Sequence, residues 1–386
     1  MKTLLIAFIL STMLNTFLSP ESRSQPIGKV KKQFDKVLKE KNIHSGFFSL
    51  HSDRLGIHEQ WIGGQFADDE LVTARTPFHI TSVGKTFTAT TIALLADEGK
   101  LRFDDPAANY LPTEMMQGLH VVDGVDYGNQ ITISHLLQHR SGLPDYFEDE
   151  PTSGENMMVL LFSQPERYWE PEELIQFTKQ HFQAKFEPGA DYHYTDTEYI
   201  LLGLIIEQLE EKPLHQVFAE RIFQPLGMNY SSMHLRSEPT NTPDYPMAEL
   251  YAETYEISRL KSLSADWAGG GVLSTSEDLY HFMKALQEGK LVQPATYQKM
   301  QQWTDESQGT YYGYGLRKWE LHELFPTLPK LTLIGHSGST ASFMYYCPEL
   351  DTYLTGSFNQ TDFKKGHIVF LVKVLSELKK YDKRNS

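Results

Sequence analysis

Pro77-Phe78-His79-Ile80-Thr81-Ser82-Val83-Gly84-Lys85-Thr86-Phe87 is the stretch on which the fold turns. A helix is expected to start near Thr81, with Val83, Phe87, Thr90 or Thr91 and Leu94 turned inward and Gly99 as its stop. Ser82 and Lys85 lie three residues apart, so they share one helix face. At the helix N-terminus the serine also meets the positive end of the dipole, which favours a developing alkoxide. A serine hydroxyl is a poor nucleophile until a base takes its proton. A lysine, with an ordinary pKa of about 10.4, helps there only if burial or neighbours lower it. Gly84-Lys85-Thr86 is also the tail of a phosphate loop, but the first glycine of that pattern would fall on His79. Without that glycine the loop does not wrap a phosphate, and nucleotide binding is set aside.

Working outward, Gly46–His51 and Gly56–Gly63 alternate aromatic and aliphatic residues across a polar turn and predict a strand pair. Before them, Gly28–Lys41 carries Val30, Phe34 and Val37 or Leu38 on one helix stripe. After the serine helix come short helices over Ile133–Gln138 behind Thr132, Glu172–Phe182 behind Pro171, and Thr197–Leu209. Ala268-Gly269-Gly270-Gly271-Val272-Leu273 is too rich in glycine for a helix interior and predicts backbone packed closely against another element. Ser274 and Glu277 have the spacing of a capping box ahead of a helix that stops at Gly289. Tyr312–Leu316, Leu331–Ile334, Phe343–Tyr346 and Tyr353–Phe358 read as strands, and His367–Leu378 as a closing amphipathic helix. Strands at both ends with helices between them predict an α/β fold: an antiparallel sheet built from both chain ends, flanked by helices, with a mostly helical domain inserted. The expected division is a sheet domain from residues 25–103 and 261–386 and the insertion at 104–260.

The chain has 386 residues and a formal net charge of −15, which argues against nucleic-acid binding and against attraction to an anionic membrane. Lys2, the apolar run Leu4–Leu14 and the small residues Ser22 and Ser24 read as a signal peptide over residues 1–24, cleaved before Gln25, with an uncleaved signal-anchor as the alternative. The expected location is therefore exported, periplasmic or secreted, with no transmembrane segment in the mature chain. The lone cysteine, Cys347, allows no intrachain disulfide and reads as a buried structural residue.

Two further motifs carry chemistry. In Tyr192-His193-Tyr194-Thr195-Asp196, the residues Tyr194 and Asp196 are two apart and, in an extended loop, face one cleft. A tyrosine whose pKa is depressed by a nearby lysine serves as a general base. Gly335-His336-Ser337-Gly338-Ser339 follows the Leu331 strand, and its small residues let a substrate lie along a strand edge. It nearly matches the G-x-S-x-G elbow, but Ser339 replaces the last glycine and the only histidine downstream is His367, so Ser337 is rejected as nucleophile. His135 and His139 are four apart, as zinc ligands on a helix would be, but no third ligand is evident; packing and capping are the expected uses. Glu148-Asp149-Glu150 reads as a solvated acidic loop.

Ser82-Val83-Gly84-Lys85, Tyr194-Thr195-Asp196 and His336-Ser337-Gly338, in that order, resemble the three signatures of the penicillin-recognising serine hydrolases. The nearest branch holds class C β-lactamases, D-alanyl-D-alanine carboxypeptidases and related esterases. Ile131–Leu143, Phe186–Gly189, Pro225–Met228 and Ala268–Gly270 are similar to segments common there, and the resemblance runs from about Lys41 to Asn359. It implies that Ser82 is acylated, Lys85 stabilises the alkoxide and Tyr194 shuttles the proton. His336, Ser337 and Gly338 would line the substrate strand, with the N–H groups of Ser82 and Ser339 as the oxyanion hole. No metal or organic cofactor is implied. The expected partner is a small-molecule or peptide substrate, peptidoglycan fragments among them: an ester, a D-amino-acid peptide or amide, or a β-lactam. Two positions depart from the pattern: Asp196 stands where asparagine is usual, and His336 where β-lactamases have lysine. Both favour an esterase or carboxypeptidase over a β-lactamase. The alternative is a retired member of the fold that binds cell-wall peptide or a partner protein without turnover, against which the complete set Ser82, Lys85 and Tyr194 speaks.

Overall fold

The computed structural model describes residues 20–363 and 365–385. The apolar part of the expected signal lies outside them, and the expected cleavage point falls within helix α1 (Pro20–Val37). Strands β1 (Ser45–Ser52) and β2 (Ile57–Gly64) form the expected pair, with Phe47 opposite Ile62 and His51 opposite His58. Short strands β3 (Phe78–His79), β4 (Ser232–Met233) and β5 (Val272–Ser274) make a small sheet in the order β3-β5-β4. Six strands follow in the last part of the chain: β6 (Thr304–Ser307), β7 (Thr310–Tyr312), β8 (Arg317–Glu320), β9 (Thr332–Ser337), β10 (Phe343–Cys347) and β11 (Thr352–Ser357). Together with β1 and β2 they form one antiparallel sheet in the order β6-β7-β8-β9-β10-β11-β1-β2. The first strand pair thus docks on the last strand of the chain, and both chain ends build the sheet as expected. None of the described helices is long and apolar enough to cross a membrane.

Because side chains alternate across a strand, adjacent residues serve two cores. Phe48, Leu50, Phe343 and Leu354 face α1 and the closing helix (Gly366–Asn385), where Val30, Phe34, Phe370 and Val374 meet them. Phe47, Met344 and Tyr353 face the other way, onto the helical side of the molecule. Cys347 is buried in the outer core, as expected, and burial pushes its thiol pKa up.

The serine segment is a 3-10 turn, Thr81–Val83, running into α2 (Gly84–Asp97). Gly99, at φ +71°, ends the helix region as expected. The single inward stripe is not what the structure contains: Gly84 to Ala93 and Leu95 are all buried, and Leu94 is only partly so. A helix enclosed on every side has no solvent face from which a stripe can be read. One contact explains the enclosure. Gly84 packs on the backbone of Gly270, where a Cβ would stand 3.1 Å from the Gly270 Cα, so the glycine run is the close approach its composition predicts.

Two local expectations are corrected. The run Tyr312–Leu316 leaves the sheet at Tyr312 and turns through Gly315 (φ +63°), whose carbonyl accepts from Thr86 Oγ1 at 2.7 Å. A Cβ at Gly315 would lie 2.8 Å from the Lys85 carbonyl oxygen, so the glycine seats this turn on α2. The cap of the helix Ser276–Gln287 is Thr275, which accepts from the Asp278 N–H at 3.2 Å. Ser274 instead shares a hydrogen bond with Ser231, and Glu277 pairs with His51.

Phe48 joins the layers of the outer core, with ring centroids 4.9 Å from Phe370, 5.4 Å from Trp61 and 6.0 Å from Phe343. Phe48→Ala is expected to cost about 3–5 kcal/mol of unfolding free energy, read from urea titration. A loss below about 1 kcal/mol would show that this layer is not a packed core.

Candidate active site

Ser82 owes its presentation to the residue before it. Thr81 has φ +42°, a region that costs a β-branched residue conformational energy. The surroundings hold it there. Ser342 Oγ donates to the Ile80 carbonyl at 2.7 Å and Thr340 Oγ1 to the His79 carbonyl at 3.1 Å, so the β9–β10 turn grips the backbone ahead of the serine. From the other side, a Cβ on Gly270 would come within 2.8 Å of the Thr81 carbonyl carbon. The turn is clamped between two glycine-rich strands of backbone, and Ser82 is left partly exposed at its tip.

Lys85 stands one turn behind, fully buried. Its ammonium has three hydrogens and three acceptors: Ser82 Oγ at 3.4 Å, the Gly269 carbonyl at 3.2 Å and, most closely, Asp196 Oδ1. The rings of Tyr194 and Tyr199 flank it, with centroids 4.9 and 5.4 Å from Nζ. Burial favours the neutral amine, but the Asp196 carboxylate and then Tyr194 outweigh it, so the Lys85 pKa is raised and the group stays an ammonium. The lowering that the sequence argument required of a lysine base does not occur. Tyr194 departs likewise: burial, reinforced by Asp196, outweighs Lys85 and raises its pKa, leaving a neutral phenol.

Asp196 opens helix α5, the run Asp196–Glu210, where the helix dipole favours a carboxylate. Thr195 caps that helix by accepting from the Thr197 N–H at 3.1 Å, and it donates to the Pro144 carbonyl at 2.9 Å. The Asp196 N–H donates to Asp145 Oδ1 at 2.9 Å. Sequence reading missed Asp145 and Asp266. Burial and then Asp196 raise the pKa of both, that of Asp266 to about 7 despite Lys85. Neither sits in a recognisable motif, and only the fold brings them to Lys85.

The structure brings Ser82, Lys85, Tyr194 and Asp196 together. It places the third motif differently. His336 is fully buried, its Nδ1 donating to the Ser337 carbonyl at 2.8 Å and its Nε2 accepting from the Tyr312 hydroxyl at 3.0 Å. Burial, then Arg317 and Lys85, lower its pKa and keep it neutral. Ser337 is partly exposed and Ser339 exposed, while Gly338 abuts Thr81 Oγ1 and donates its N–H to the Ser342 carbonyl at 2.9 Å. The N–H groups of Ser82 and Ser339 take no partner among the turn and loop hydrogen bonds of the described residues. Arg317, 5.5 Å from the Tyr194 ring, is bound by Glu306 through two hydrogen bonds of 2.7 Å.

The two histidines go to separate partners. His135 Nδ1 accepts from the Thr132 N–H at 3.3 Å, the capping role expected of it, whereas His139 is buried against Glu198. Asp149 is no solvated acid: it takes hydrogen bonds from His193 at 2.9 Å and the Asp145 N–H at 2.7 Å.

A carboxyl whose pKa rises on folding favours the folded state while protonated. The contribution of Asp266 is complete below its unfolded value of 3.8, declines as pH rises, and is lost above about 7. Asp266→Asn is therefore expected to stabilise the protein more at about pH 8 than at about pH 5 in urea titrations. Equal effects at the two pH values would remove Asp266 from the group of carboxyls that respond to Asp196.

The family model described as Beta-lactamase matches residues 30–369. Penicillin-binding protein 4* of Bacillus subtilis is 26% identical over 257 residues, covering 62% of this chain and 51% of that relative. The chain thus spans about half the length of that protein. The crystal structure of D-amino acid amidase from Ochrobactrum anthropi SV3, complexed with L-phenylalanine, superposes with a TM-score of 0.75 at 23% identity, over 92% of this chain and 99% of that one. EstCE1, a hydrolase with promiscuous acyltransferase activity, gives a TM-score of 0.73 at 19% identity over 93% and 99%. At these identities the two structures establish the fold. The family match over nearly the whole chain establishes more: this chain belongs to the beta-lactamase family, the serine-hydrolase family that its three motifs resemble.

Proposed function

We propose that the protein is a serine hydrolase that passes an acyl group through Ser82. The observation that carries this reading is the Lys85 ammonium, buried and held within 3.4 Å of Ser82 Oγ by Asp196 and Gly269. Attack by Ser82 Oγ on a carbonyl carbon forms the new C–O bond while the hydroxyl proton passes to the Tyr194 oxygen. Tyr194 gives its own proton to the leaving group as the old bond breaks, so it begins and ends as a phenol. Its raised pKa suits that exchange, because no phenolate has to exist at rest. Lys85 stabilises the negative charge that develops on Ser82 Oγ, and the N–H groups of Ser82 and Ser339 receive the carbonyl oxygen. Water then repeats the exchange in reverse and frees Ser82.

The substrate we favour is a small ester or a D-amino-acid peptide or amide, in the manner of an esterase or carboxypeptidase. Three features support that choice over a β-lactam. Asp196 offers a carboxylate where an amide would donate to a substrate carbonyl. His336 is neutral and buried, so it supplies no fixed cation for a β-lactam carboxylate. Arg317 is neutralised by Glu306. The apolar leader ahead of residue 20 fits an exported enzyme working on cell-wall fragments.

Purified protein treated with a fluorophosphonate is expected to label at Ser82 on peptide mapping, and Ser82→Ala to lose both the label and hydrolysis of an activated ester. Labelling at Ser337 would overturn the assignment. For the wild type, kcat/KM on a chromogenic short-chain ester is expected to exceed that on a chromogenic cephalosporin by about a hundredfold or more, some 2.7 kcal/mol of transition-state discrimination. Comparable values for the two would show that the Asp196 and His336 departures do not set specificity.

A further inference from the structure

A second acid–base pair lies beneath the site, outside the three motifs. His139 and Glu198 are both fully buried, with Nδ1 of the one 2.5 Å from Oε2 of the other. Two hydrogen bonds decide where the protons are. The Thr195 N–H donates to His139 Nδ1 at 3.3 Å, so that nitrogen is an acceptor and carries no hydrogen. Glu198 Oε2 faces the same lone pair, and two acceptors do not approach to 2.5 Å without a proton between them. A proton on the carboxyl leaves Nδ1 as the acceptor that the Thr195 N–H approaches, whereas an Nδ1–H would turn two hydrogens toward each other. The other oxygen, Oε1, accepts from the Ser141 N–H at 3.0 Å, and burial outweighs the Ser141 hydrogen bonds in raising the Glu198 pKa.

With Nδ1 bare, the imidazole hydrogen is on Nε2, and among the described residues Nε2 has no hydrogen-bond partner. It lies in a box of tyrosine rings. The His139 ring centroid is 4.2 Å from Tyr194, 4.5 Å from Tyr312 and 5.3 Å from Tyr199. An N–H donor enclosed by π faces is weakly but favourably placed. We propose that Glu198 is a protonated acid that fixes His139 as an uncharged Nε2–H imidazole under Tyr194, and that the pair positions that ring for proton transfer. The charged groups around His139 fit this assignment. Lys85, Arg317, His336 and His193 all face it, and burial together with the cations among them opposes an imidazolium. An ionised Glu198 would also add a second carboxylate near Lys85 and compete with Asp196 for it.

The positioning role rests on the reading of Tyr194 as proton carrier; the protonation states do not. The test separates the two. Glu198→Gln preserves both hydrogen bonds, since its carbonyl accepts from Ser141 and its amide donates to His139 Nδ1. Ester kcat in this variant is expected to stay within about threefold of wild type, while Glu198→Ala loses about a hundredfold with a smaller change in KM. Infrared spectroscopy of the intact protein is expected to show a carboxylic-acid carbonyl band that Glu198→Gln removes. Nitrogen NMR is expected to report His139 as the Nε2–H tautomer. If Glu198→Gln falls as far as Glu198→Ala, or the band is absent, or the tautomer is Nδ1–H, the proposal is wrong. A wild type that neither labels at Ser82 nor cleaves an ester would sink the hydrolase reading, and with it the positioning role, while the band and the tautomer would still decide the state of the pair.

Discussion

A buried ammonium is costly, and the structure around Lys85 is organised by that cost. Removing such a charge from water, even after relaxation, costs several kcal/mol unless its donors and its charge are both answered. Here three acceptors from three parts of the chain answer it: Ser82 from its own helix, Gly269 from the glycine run and Asp196 from the start of α5. Each of them brings a constraint. Gly269 has no room for a Cβ, which would stand 2.5 Å from Asp196 Oδ1. Asp196 must begin a helix, which Thr195 secures by capping. Ser82 must follow Thr81 in a left-handed conformation. Loss of any of these would leave a charge in the interior with an empty direction.

The sheet contributes rigidity at the other side of the site. The β9–β10 turn does not merely border Ser82; through Thr340 and Ser342 it holds the carbonyls of His79 and Ile80. The strain at Thr81 is therefore carried by two interior strands of the sheet, β9 and β10, which lie between β8 and β11. The backbone ahead of the proposed nucleophile is thus clamped by residues some 260 positions later in the sequence.

What the sequence made legible was local. Ser82 and Lys85 one turn apart, the strand pair at Gly46–Gly63, the helix behind Pro171 and the glycine run at 268–273 all depend on neighbours within a few residues, and the structure has each of them. What it left illegible depends on distance and burial. Tyr312–Leu316 is apolar enough for a strand, but Gly315 is required against Lys85, more than two hundred residues away. A stripe was sought on α2 because most helices have a wet side, and this one does not. The protonation of Lys85 and Tyr194 turned on Asp196, 111 residues from Lys85, and on a depth of burial that no spacing reveals. Glu198 did leave a trace: a carboxylate directly ahead of the apolar run Tyr199–Ile206 on a buried helix has to be neutral or paired.

That trace points to how the site handles charge. Asp145, Asp266 and Glu198 all have raised pKa values, His139 and His336 have lowered ones, and Arg317 is answered by Glu306. Burial moves these carboxyls and imidazoles toward their neutral forms, while Lys85 stays an ammonium against Asp196. In the proposed attack, charge developing on Ser82 would meet one oriented ammonium already aimed at it, in surroundings that screen poorly and need not reorganise. Asp196 works against this in part, because it draws on the same ammonium. A site with asparagine there would leave Lys85 freer to act on the serine but would also leave its buried charge less well answered. The aspartate therefore trades some electrostatic pull on Ser82 for a lysine that is fixed in place and stays protonated, which suits the proposed reaction, in which a neutral tyrosine carries the proton.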